Sequence, residues 1–157
     1  MKLKGIRMED FTSYKKPSMY IAFPSCTFKC ERECGQKMCQ NSPLVNAPDI
    51  DILTNTVVQR YISNPITSSI VCAGLEPFDS WLDLWSFVKT FRCHSNDDIV
   101  IFTGYNKEEI YDKVKLLSRY KNIVIKFGRY IPNQQPHYDD VLGVALASDN
   151  QYAERIS

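Results

Sequence analysis

Four short runs that are apolar almost throughout, residues 19–23, 69–73, 99–102 and 123–125, constrain this chain more than any other feature. A strand with one wet face alternates apolar and polar side chains, whereas an apolar run has to be covered on both faces. Helical stripes lie between the runs. Ile50, Leu53, Val57 and Tyr61 form one, stopped by Asn64-Pro65. Trp81, Leu84, Trp85, Val88 and Phe91 form a second, behind a capping-box pair Ser80 and Asp83. Ile110, Val114 and Leu117 form a third, opened by Asn106 and Glu109. A last strand is expected within residues 141–146, and Pro132 and Pro136 mark an extended loop. The alternation predicts an α/β fold, a mostly parallel sheet covered by helices. The 157 residues make about one domain, taken as 1–157.

Sites in such sheets lie beyond the carboxyl ends of the strands. Gly74-Leu75-Glu76-Pro77 leaves the second run, Thr103-Gly104-Tyr105 the third and Lys126-Phe127-Gly128-Arg129 the fourth. The first run feeds a loop in which four of the six cysteines, Cys26, Cys30, Cys34 and Cys39, fall within fourteen residues. All four segments are expected on one rim. A formal charge of +1 gives no global field for nucleic acid, and no apolar run approaches the ~20 residues of a membrane helix. The first residues lack the apolar core of a signal peptide, so a cytoplasmic chain is expected. Cytosolic thiols stay reduced, and a tight cluster of them points to metal. Spacing alone leaves zinc and iron–sulfur both open. Cys72 reads as a small buried strand residue, His94 and His137 as surface residues, Trp81 and Trp85 as packing. Lys4, Arg7, Lys15 and Lys16 read as a solvated basic stretch.

Cys26-Thr27-Phe28-Lys29-Cys30 with Cys39-Gln40-Asn41 resembles the cluster loop of radical S-adenosylmethionine enzymes, and most that of the anaerobic ribonucleotide reductase activating proteins. Ala73-Gly74-Leu75-Glu76-Pro77 resembles their Gly-Gly-acid-Pro motif. Phe102-Thr103-Gly104-Tyr105, Gly128-Arg129-Tyr130 and Ala147-Ser148-Asp149-Asn150-Gln151 resemble three further segments, in the family's order. Three departures stand beside these likenesses. Eight residues rather than two separate Cys30 from Cys39, with Cys34 among them. Ala73 replaces a glycine and Leu75 is inserted before the acid. Phe127 stands where an acid is usual.

The resemblance implies an incomplete (βα) barrel and a 4Fe–4S cluster held by Cys26, Cys30 and Cys39, with Cys34 the alternative third ligand. Three thiolates leave one iron open to S-adenosylmethionine, which Gly74, Glu76, Pro77, Thr103, Gly104 and Tyr105 would bind, Glu76 by its ammonium. No catalytic side chain is expected beyond the cluster. The implied activity is reductive cleavage to a 5′-deoxyadenosyl radical that installs a glycyl radical on a large partner, an anaerobic ribonucleotide reductase, with flavodoxin or ferredoxin as electron donor. The alternatives are a stand-alone radical enzyme on a peptide or small molecule, and a non-catalytic zinc or iron–sulfur module.

Overall fold

The apolar runs lie side by side because each needs cover on both faces, and only the centre of a sheet supplies it. The computed structural model describes residues 1–157. Its elements run β1 (Lys2–Leu3), β2 (Gly5–Asp10), β3 (Ser18–Phe23), α1 (Lys29–Cys34), β4 (Ile50–Asp51), α2 (Thr54–Ile62), β5 (Ser69–Gly74), α3 (Trp81–Arg92), β6 (Asp98–Phe102), α4 (Tyr111–Leu117), β7 (Ile123–Phe127), β8 (His137–Asp139), β9 (Val144–Leu146) and β10 (Tyr152–Arg155). Six strands form the main sheet in the order β10-β7-β6-β5-β3-β2. The four central strands are parallel, in a register that aligns Ile21 with Cys72, Cys72 with Ile101 and Ile101 with Ile125. β2 and β10 close the two sides antiparallel, so the sheet is mixed and stays open rather than closing into a barrel.

Alternation along the strands divides the core in two. Ile21, Phe23, Ile70, Cys72, Ile99, Ile101, Ile125 and Phe127 face α2, α3 and α4 and are fully buried. Each such large side chain contributes roughly 1.5–3 kcal/mol by leaving water. Val71, Ala73, Val100 and Val124 face the other way, onto Tyr14, Leu142 and Leu146. The sheet face opposite these helices is therefore covered by this chain's own residues. Away from the site, Asp98 at the start of β6 accepts from Tyr14 Oη at 3.0 Å, Lys16 Nζ at 2.6 Å and Arg155 Nη1 at 2.9 Å. That knot fastens β10 and the approach to β3 to the sheet.

Several local expectations are corrected. Ser80 makes no capping bond, and Asp83 accepts from the Lys2 N–H at 3.0 Å instead. The second helix starts only at Thr54: Ile50 sits in β4, Leu53 is exposed, and Val57, Val58 and Tyr61 form the buried stripe. On α3 the buried side chains are Leu84, Phe87, Val88 and Phe91, while Trp85 turns to solvent and stacks on Trp81. Lys4 and Lys16 are not free solvated charges, since they pair with Asp49 and Asp98. The strand within 141–146 is β9, which pairs with β8 outside the main sheet. By contrast, the Asn106 and Glu109 capping box is formed with both bonds, and Cys72 is buried among the strands.

Candidate metal centre and its rim

Four parallel strands set their following loops on one rim, and hydrogen bonds knit those loops together. The turn after β5 depends on Gly74, whose φ is +93° and where a Cβ would lie 2.7 Å from Ala22 Cα and 2.8 Å from Phe23 N. Gly74→Ala is expected to destabilise the fold by at least about 2 kcal/mol, from left-handed strain and overpacking together. Chemical denaturation of the variant measures this, and an unchanged midpoint would remove the close approach.

Beyond that turn, Glu76 is 5% exposed and holds three donors. Oε1 accepts from the Phe78 N–H at 3.1 Å and Thr103 Oγ1 at 2.9 Å, and Oε2 accepts from the Gly104 N–H at 2.9 Å. A carboxylate offers about four acceptor positions, so one remains. Burial pushes the Glu76 carboxyl up to about 7, helped by Asp79 and opposed by those three hydrogen bonds. Lys126, 8% exposed at the end of β7, donates to the Gly128 carbonyl at 2.7 Å. Burial brings its ammonium down to about 8, against the pull of Glu76.

The start of the cysteine loop is tied to this rim at two points. Ser25 O accepts from the Glu76 N–H at 2.7 Å, and Asp79 accepts from the Thr27 N–H at 2.8 Å and from Tyr105 Oη at 2.6 Å. Cys26 Sγ accepts from the Phe28 N–H at 3.2 Å. The long stretch between Cys30 and Cys39 is α1 followed by a left-handed Gly35, and it turns back on itself. Glu31 Oε1 fastens the return by accepting from the Met38 N–H at 3.1 Å and the Cys39 N–H at 2.9 Å. Cys39 consequently comes back to Cys30, whose thiol is pushed up first by burial and then by Cys39. Burial pushes Cys26 up to about 12, with Glu76, Asp79 and Cys30 adding to it. The Cys34 thiol turns elsewhere, to the carbonyls of Glu31 and Gln36 and to Met38 Sδ.

These donors fit an iron–sulfur cluster. Half-buried thiols with raised pKa values become ligands when a cationic metal centre supplies the opposing charge. Hydrogen bonds to sulfur of the kind Phe28 makes are among the levers that set a cluster's potential. No three metal-ligating side chains converge on a single-ion position, and ligands of a cubane, each on its own iron, need not do so.

An ionic net braces the same rim. Arg129, whose side chain is 10% exposed, pairs with Glu109 at 2.7 Å and Glu33 at 3.5 Å and lies over the Tyr105 ring. Lys29 pairs with Glu109 and Glu33. Arg129, with Lys29, holds the Glu109 carboxyl down to about 2, against its partial burial. The Gly128-Arg129 turn is buttressed by the C-terminal segment: Asn150 Nδ2 donates to Arg129 O at 2.7 Å and Gln151 Nε2 to Gly128 O at 3.3 Å. A small cavity opens between Cys26, Cys30, Glu76, Gly104, Tyr105 and Arg129. A larger one, about 300 Å³, continues past Cys30 and Cys34 to Tyr130 and Asn150.

Of the residues singled out from sequence, Cys26, Cys30, Glu76, Gly104 and Tyr105 line the small cavity, and Thr103 holds Glu76 from behind. Gly74 and Pro77 are buried turn residues that line neither cavity. The backbone N–H groups of Thr103, Gly104 and Tyr105 are all taken within the protein, by Lys126 O, Glu76 and Thr103 Oγ1. Phe127 is fully buried in the helix-side core, against Tyr152. Glu31, Asp79, Lys126 and the partners of Arg129 escaped sequence reasoning, because each acts on a residue distant in the chain or on backbone.

No helix is long and apolar enough to cross a membrane. A family model described as a 4Fe-4S single cluster domain matches residues 18–151. No curated protein and no solved structure matches the chain.

Proposed function

We propose that this chain, which belongs to the 4Fe-4S single cluster domain family, is a radical S-adenosylmethionine protein of the glycyl-radical activating type. The observation that carries the reading is the meeting of the cysteine loop and the Glu76-Thr103-Gly104 cluster around one cavity. Cys26, Cys30 and Cys39 would hold the cluster, which when bound supplies the electron that splits S-adenosylmethionine into methionine and a 5′-deoxyadenosyl radical. Glu76 has one acceptor position left for an N–H of the methionine amino group, and a hydrogen bond to the charged form favours the ionised carboxylate. Thr103 and Gly104 fix the carboxylate, and Asp79 fixes the loop that carries Cys26. Tyr105 and Arg129 wall the cavity.

The covered sheet face supports the reading of a large partner. Tyr14, Leu142 and Leu146 cover the sheet face opposite the helices, so a substrate would approach the rim from outside. A polypeptide that closes over the larger cavity suits this shape, and an anaerobic ribonucleotide reductase-type protein is the partner proposed, reduced flavodoxin or ferredoxin the electron donor. The reading is tested by anaerobic reconstitution, addition of dithionite and S-adenosylmethionine, and chromatography for 5′-deoxyadenosine. About four irons per chain and release of 5′-deoxyadenosine are expected. A four-iron protein that leaves S-adenosylmethionine intact would be a cluster module without this chemistry.

A further inference from the structure

We infer that Cys34 is an exchangeable fourth ligand that closes the cluster's open iron until S-adenosylmethionine displaces it, an inference that rests on the radical reading above. A four-iron cluster takes four thiolates when fully ligated, and this loop carries four within fourteen residues. Cys30 and Cys34 stand four residues apart on α1, which sets them on one face. Both line the larger cavity, beside Arg129 and Asn150. Cys34 is thus within one helical turn of a cluster ligand, on a cavity that adjoins the Glu76 cavity at Cys30 and Arg129.

The four thiols are not held alike. Cys26 accepts a backbone hydrogen bond, and Cys39 is fastened through its own N–H to Glu31. Cys34 has only weak acceptors for its S–H: Glu31 O at 3.6 Å, Gln36 O at 3.5 Å and Met38 Sδ at 3.4 Å. It is also the last residue of α1, immediately before the left-handed Gly35. Exchanging such partners for an iron, and regaining them later, costs little. Capping moves the thiol proton to solvent and forms one iron–sulfur bond. Displacement breaks that bond and forms bonds from the carboxylate and amino groups of S-adenosylmethionine. The amino nitrogen, an ammonium in solution, gives up a proton as it binds iron, and Cys34 takes one up. No electron moves in either direction. The cap would protect an iron that otherwise faces an open cavity and is lost on oxidation.

Alkylation of the reconstituted full-length protein with iodoacetamide, read by peptide mass spectrometry, tests the exchange. Metal-bound sulfur is a poor nucleophile, so Cys34 is expected to react roughly tenfold or more slowly than in the metal-free chain. Saturating S-adenosylmethionine is expected to restore its reactivity while Cys26, Cys30 and Cys39 stay protected. Exposed Cys93 serves as the internal standard. A second readout is ferricyanide oxidation: Cys34→Ala is expected to give the paramagnetic three-iron signal, and wild type to resist it. Cys34 reacting equally with and without S-adenosylmethionine, in a cluster whose spectrum responds to that ligand, overturns the cap and leaves the radical reading intact. Cys34 protected throughout while Cys39 reacts makes Cys34 an ordinary third ligand and also overturns it. Protection of all four with a spectrum indifferent to S-adenosylmethionine overturns both the cap and the radical reading.

Discussion

Cys26→Ala and Cys30→Ala each leave a folded chain that retains less than about one iron per chain after anaerobic reconstitution and gel filtration, against about four in wild type. The fold is expected to survive because neither thiol is in the core. Both are half-buried on the rim loop, and α1 contributes no buried residue. The cluster is expected to be lost because two irons are then left without one of the well-held thiolates. Cys39→Ala is expected to lower the iron content severalfold, since Cys34 is the one further thiol of the loop that could replace it and its weak contacts fix no position for it. Cys34→Ala is expected to keep the cluster when S-adenosylmethionine is present. Iron and sulfide analysis beside circular-dichroism melts separates metal loss from unfolding. A Cys34→Ala chain without cluster and a Cys39→Ala chain with a full one would reverse the ligand assignment, and zinc without iron in wild type would remove the cluster.

The centre of this fold is legible in the sequence, and its margins are not. The four parallel strands are apolar on both faces, so composition alone exposes them. The edge strands β2 and β10 are Gly-Ile-Arg-Met-Glu-Asp and Tyr-Ala-Glu-Arg, with half-exposed, charged side chains that carry no such signal. On α3 the two tryptophans suggest a buried stripe, yet Trp85 turns to solvent. Phe87, one turn before Phe91, takes the place assigned to Trp85, because large aromatic side chains gain from burial wherever the helix phase offers room. The site shows the same division. Thiols in a cluster and an acid after a strand announce their chemistry by type. What positions them does not: Glu31 reaches seven and eight residues along the chain to close an insertion, and Arg129 meets Glu109 across twenty. Such pairings are properties of the fold, and no local pattern encodes them.

Substituting Glu76 separates its two duties, and the expected changes have opposite signs with pH. As a ligand-binding group, Glu76 would offer its one free acceptor position to an N–H of the methionine amino group, a charge-assisted bond of roughly 1.5–3 kcal/mol. Glu76→Gln is therefore expected to weaken S-adenosylmethionine binding about ten- to hundredfold at neutral pH, measured by titration of the reduced cluster's paramagnetic resonance. The ionised carboxylate is the stronger acceptor for that N–H, so wild-type affinity is expected to rise with pH and level off above the folded value of about 7. In the glutamine variant this rise is absent. Stability of the metal-free fold runs the other way. The folded pKa of about 7 lies above the ordinary carboxyl value of 4.5, so between the two the folded state binds more protons than the unfolded one. The stabilisation is complete below the unfolded value and is lost as pH rises through the folded one, by about 3 kcal/mol for a shift of this size. Denaturation midpoints of wild type are expected to fall across that window, and those of Glu76→Gln, which has no proton to lose, to stay level. Glu76→Ala is expected to be the harsher change, since it strands the Phe78, Thr103 and Gly104 donors in a buried place. An unchanged titration midpoint in Glu76→Gln would take the carboxylate out of the binding site, and a level pH profile in wild type would take the buried proton out of the fold.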